Sequence, residues 1–173
     1  MSTIKERIRN ARPTTRTVPV WLGADLDLVD EYEAAVAALE EARKPGDSLA
    51  GNGSPAAAEQ RVTELRAELD KFRVDFRLRG LDDLRYAQLL RDHPARVDEA
   101  TGKTVEADEA GWNRDTFPAA LVRLAVVDPD LDDEDWTALL GDENTLGVLT
   151  SRQLDQLATV AFQLTRQTVD IPF

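Results

Sequence analysis

Apolar residues recur at helical spacing along most of this chain. Between Asp25 and Lys44, Val29, Tyr32, Val36 and Leu39 are spaced 3, 4, 3, which lines one face of a helix. Asp25 or Asp27 can cap its start, and Arg43 and Lys44 sit where the dipole favours cations. A second series, Val62, Leu65, Leu69, Phe72 and Phe76, is spaced 3, 4, 3, 4 and predicts a helix from Pro55 to about Arg79, stopped by Gly80. Ser54 can cap it, with Pro55 at its first position. Pro45 to Pro55 (PGDSLAGNGSP) is too rich in glycine, proline and serine to be helical. The two stripes therefore predict a helical hairpin with a flexible connection.

Shorter helices follow. Leu81, Leu84, Leu89 and Leu90 give one ending before Pro94, with Asp82 as its cap. Residues 95–111 are polar, acidic and loop-like, with a turn at Thr101 to Lys103. Thr116 is placed to cap a helix carrying Phe117, Leu121, Leu124 and Ala125, with Pro118 tolerated in its first turn. The Asp128-Pro129-Asp130 stretch breaks it. Asp132 caps a helix burying Trp136, Leu139 and Leu140, closed by Gly141. Thr150 and Gln153 form a capping box for a last helix running to about Thr168 with Leu154, Leu157, Ala161 and Leu164 on its seam. Residues 170–173 form a non-helical tail with an apolar end. Ahead of all these, Thr17 to Leu22 is β-prone but interrupted by Pro19, so it is either a short edge strand or an extended segment.

The expected fold is all-α: a helical hairpin followed by a small helical bundle, with at most a short N-terminal strand. The expected divisions are a flexible basic arm at 1–17, the extended segment and hairpin at 18–80, and a compact acidic helical domain at 81–173.

Charge sharpens this picture. The 173 residues carry a net charge of -12, unevenly spread. Residues 1–20 hold five bases (Lys5, Arg7, Arg9, Arg12, Arg16) against Glu6, whereas residues 92–146 hold fifteen acids against four bases. An acidic surface repels phosphate backbones, which argues against nucleic acid as a partner. The basic arm and acidic body could attract each other or meet different partners. No apolar run approaches the ~20 residues that span a bilayer, and the charged N-terminus lacks the apolar core of a secretory signal. A cytoplasmic location and no membrane association are expected.

Chemistry is sparse. Without cysteine there is no disulfide, thiolate zinc site or thiol nucleophile. Asp128, Asp130 and Asp132 alternate like the start of a calcium loop, but Asp133 and Leu139 stand where that loop needs glycine and glutamate. The lone histidine, His93, lies at a helix end before Pro94 and reads as a C-terminal capping group. No phosphate-binding glycine loop or nucleophile elbow is present. The expectation is no enzyme activity, no cofactor and no metal. Trp112 and Trp136 remain either core anchors or binding hot spots.

One set of residues carries a resemblance. A helix ending Leu89 to Arg96 (LLRDHPAR), an acidic loop, Gly111 to Val122 (GWNRDTFPAALV), the acidic break Val127 to Trp136 (VDPDLDDEDW) and the closing VDIPF follow in that order. Over about residues 80–173 this resembles the tail assembly chaperones of long-tailed bacteriophages, in their short form of a frameshifted pair. The resemblance implies a non-enzymatic protein of the host cytoplasm, absent from the mature virion. It would bind and solubilise the tape measure protein and help recruit tail tube subunits. Trp112, Phe117, Pro118 and Trp136 are the candidate partner-binding residues, and a homo-oligomer is left open. A structural subunit of a tail or baseplate, or an acidic inhibitor-like binding protein, are the alternatives.

Overall fold

A computed structural model describes residues 3–44 and 54–166. Most of the expected linker (45–55), the end of the last helix and the apolar tail at 170–173 lie outside the described residues. In chain order the elements are α1 (Ile4–Asn10), β1 (Thr15–Trp21), α2 (Leu26–Arg43), α3 (Pro55–Leu69), β2 (Arg73–Arg79), α4 (Asp83–Asp92), α5 (Phe117–Ala125), β3 (Val126–Asp128), α6 (Asp133–Leu140) and α7 (Ser151–Arg166), with 3-10 turns at Asp70–Phe72 and Glu106–Asp108.

The all-α expectation is overturned: seven helices are joined by a three-stranded sheet of order β1-β2-β3 among the described residues. The error lies chiefly at residues 70–79. A spacing of four, as between Phe72 and Phe76, fits a helix stripe and one side of a strand equally well. The intervening residues decide. Arg73, Asp75, Arg77 and Arg79 alternate with Val74, Phe76 and Leu78, which is the period of a half-buried strand. The helix accordingly stops at Leu69, and Phe76 and Leu78 are buried while Asp75 and Arg77 are exposed. β3 pairs antiparallel with β2, matching Arg77 to Asp128 and Leu78 to Val126, with a register shift between Arg77 and Leu78. β1 occupies an edge, the kind of strand in which a proline such as Pro19 is tolerated.

The chain divides into two compact units, Pro19–Val74 and the combination of Met1–Val18 with Asp75–Phe173. The divide falls within β1 and within β2. In the first unit α2 packs against α3, burying Leu39, Leu65 and Leu69. Val29, Tyr32, Val36 and Val62 are half-buried along the same stripes. Ion pairs Arg43–Glu59 and Arg61–Glu31, each 2.7 Å, lie at the surface and add only a few tenths of a kcal/mol each.

The second unit holds α1 and α4 to α7. α5 packs against α7 and α4. Phe117, Leu121, Val122 and Ala125 of α5 are buried, together with Leu157 and Ala161 of α7 and Leu89 of α4. Gly80 sets the approach of α7. A Cβ there would lie 2.4 Å from the Leu164 carbonyl oxygen, and the next amide, Leu81 N–H, donates to Thr165 Oγ1 at 3.1 Å. The basic N-terminal stretch forms α1, closed at its start by a reciprocal capping box between Thr3 and Glu6.

Candidate functional site

The loop between α4 and α5 is organised around one buried charge. Asp108 is fully buried, and its carboxylate accepts four hydrogen bonds: from Arg96 N–H (2.8 Å), Arg96 Nε (2.8 Å), Arg96 Nη2 (2.9 Å) and the Arg114 N–H (3.0 Å). The Arg96 guanidinium, followed by the Arg114 amide, holds the Asp108 carboxyl far below the usual carboxylate range. Asp108 in turn keeps Arg96 above its ordinary value, with help from the exposed partner Asp115. Between these anchors, residues 97–104 turn back through a bridge from Val97 to Thr104. Asp98 accepts from the amides of Thr101 and Ala100, which lowers its own pKa. A second bridge, Pro94 to Trp112, closes the loop at its base.

This clamp sets the position of Trp112. The indole stacks on Phe117, with ring centroids 4.6 Å apart and planes 24° apart. Phe117 is the buried hub of an aromatic group, taking Tyr86 edge-on at 6.2 Å and His93 at 6.5 Å. Beside the stack, α5 and α7 frame a cleft of about 490 Å³ lined by Trp112, Phe117, Pro118, Leu121, Ala158 and Phe162. Arg114, Asp155, Thr159 and Gln163 also line it, so the groove is mainly apolar with one charge of each sign.

Three of the four residues singled out from sequence thus meet in one groove. Trp136 does not. It is buried in a separate cleft of about 460 Å³ with Leu89, His93, Leu124 and Leu131, where Arg123 lies 5.9 Å from its ring centroid and also pairs with Asp133. Phe162 and Ala158 were not anticipated. They form a second stripe on α7, one position beyond the buried Leu157 and Ala161, and only packing against α5 reveals it. Asp108 was also missed, being one acid among many in its loop. The nearby signal was Arg96, a rare base in an acidic stretch.

His93 is the C-cap of α4, and its main-chain N–H donates to the Leu89 carbonyl. Its ring does not meet free carbonyls; Nδ1 lies 2.8 Å from Thr116 Oγ1. That contact occupies the hydroxyl expected to cap α5, and Thr116 makes no side-chain cap bond. Asp132 caps α6 by accepting from the Glu134 and Asp135 amides, both at 2.9 Å. Thr150 and Gln153 form their capping box.

No helix among the described residues is long and apolar enough to cross a membrane. Searches of protein-family models, of curated proteins and of solved structures return no match to this chain.

Proposed function

We propose that this protein is a non-enzymatic tail assembly chaperone, acting in the host cytoplasm and leaving before the virion is complete. Its client is the tape measure protein, and it assists recruitment of tail tube subunits. The observation that carries this reading is the apolar groove between α5 and α7. It is open to solvent, its aromatic wall is held by the Asp108–Arg96 clamp, and it lies within the stretch that resembles the chaperone family. An amphipathic helix presents side chains at i, i+3, i+4 and i+7, and such a groove accepts them without covalent chemistry. The net charge of -12 keeps a complex with a sticky client soluble.

Co-expression with a tape measure protein tests the reading. The expected result is a shift of the client from the insoluble to the soluble fraction that depends on this chain. A client equally insoluble with and without it rejects the proposal. Stoichiometric presence of the chain in purified particles would instead favour a structural subunit.

A further inference from the structure

We infer that α1 of one copy docks into the Trp136 cleft of a second copy, making the protein self-associate through its basic arm. The inference is independent of the client groove. It begins with α1 itself. The helix has seven residues, and Ile4 and Ile8 on one face are 74% and 68% exposed. Every residue from Thr3 to Thr17 is exposed, so nothing among the described residues of this copy covers that face. A helix this short gains little stability in water by itself; packing is what normally holds one. Its flanks are basic: Lys5, Arg7 and Arg9 lie on the helix and Arg12 just after it.

The matching surface is the second cleft. Its floor is apolar, with Leu89, Leu131 and Leu124, the last 45% exposed. Its edge carries Asp92 and Asp133, with Arg123 paired to Asp133, and the adjoining stretch from Asp128 to Asp135 contains six carboxylates and no base, so the acids outnumber the one base there. The first 18 residues carry five bases against one acid on a chain whose net charge is -12, so the arm and the remainder are strongly complementary. Ile4 and Ile8 would fill the floor while the flanking bases face the carboxylates, the arrangement of an amphipathic helix in a groove.

The chain has no cysteine, so single cysteines report this contact cleanly. Purified Ile8→Cys and Leu124→Cys full-length proteins are mixed and treated with a short bismaleimide. The expected result is a cross-linked heterodimer at low salt that disappears at about 0.5 M NaCl, where screening shortens electrostatic reach to roughly 4 Å. Ile8→Cys mixed with Leu84→Cys, an exposed position outside the cleft, should cross-link at background level. In sedimentation the unmodified protein should associate with rising concentration, and Ile4→Glu/Ile8→Glu should weaken that at least about tenfold. A monomer at all concentrations overturns the inference. So does cross-linking equal to the Leu84 control, or a link within single chains of the Ile8→Cys/Leu124→Cys variant at high dilution.

Discussion

Asp108 receives both the main-chain N–H and the guanidinium of Arg96, twelve positions earlier, so one carboxylate fixes the backbone and the side chain of the same residue. The Arg114 amide completes the ring of donors two residues after Trp112. The loop is therefore gripped on both sides of the indole it presents. Asp115 holds the outer face of the same guanidinium from an exposed position.

Asp108→Asn should lower the thermal midpoint by roughly 5–10 °C, because a buried partner of a paired charge is removed while half-exposed Arg96 keeps some solvation. Asp115→Asn removes only an exposed pair and should change it by no more than about 2 °C. Near-UV circular dichroism should show loss of the tryptophan signal in Asp108→Asn before global unfolding. Equal effects of the two substitutions would sink the idea that the buried carboxylate organises the loop.

Acid should destabilise the fold through the same group. Asp98, Asp108 and Asp142 all have folded pKa values below the ordinary carboxylate value of 3.8. Asp142 is lowered first by the amide of Asn144, and Asp108 by Arg96. A depressed folded pKa means that the unfolded chain binds protons first. The stabilisation is then complete above about pH 5 and is lost as pH falls through the unfolded value towards the folded one. Thermal midpoints should be level from about pH 8 to 5 and fall below about pH 4. In Asp108→Asn the acid limb should be shallower. An unchanged limb in that variant would show that other carboxylates control acid unfolding.

Gly80→Ala should cost about 2 kcal/mol, since the new methyl would meet the Leu164 carbonyl at 2.4 Å and main chain cannot swing aside as a side chain can. Gly102→Ala is the comparison. Nothing lies within 4 Å of the added methyl, and the cost is the positive φ of 67° alone, about 1 kcal/mol. Urea unfolding of the two variants separates close packing from backbone strain. A neutral Gly80→Ala would mean that α7 does not pack as tightly on residue 80 as described.

Apart from α1, which forms within the stretch expected to be a flexible arm, the helices were legible because each carries a stripe and a chemical boundary of its own. Asp25, Asp82 and Asp132 cap where their sequence context places them. The sheet was obscured because Phe72 and Phe76 satisfy two periodicities at once, and β3 is only three residues long and follows directly on α5. The groove was half legible. Trp112, Phe117 and Pro118 lie within seven positions and share one local structure, which is why a local reading groups them. Trp136 has the same chemistry but sits on α6, where its neighbours are His93 and Leu124. Phe162 reaches the groove only through the pairing of α7 with α5, a relationship that no local spacing encodes.

The groove and the Trp136 cleft should be separable by substitution. Ala158 is half-buried on the groove face of α7, and arginine is nearly as good a helix former, so Ala158→Arg should fold normally while its side chain fills the groove. Client solubilisation should then fall, with affinity for a client-derived helical peptide reduced about 30-fold, the effect of losing a binding hot spot. Trp112→Ala should weaken binding similarly, but it also removes the stack on Phe117 and should lower the midpoint as well. Leu124→Glu lies in the other cleft and should leave peptide binding unchanged while abolishing self-association. Fluorescence anisotropy with the labelled peptide, read alongside sedimentation of each variant, checks all three. Loss of peptide binding in Leu124→Glu with retention in Ala158→Arg would assign the client to the Trp136 cleft and overturn the groove.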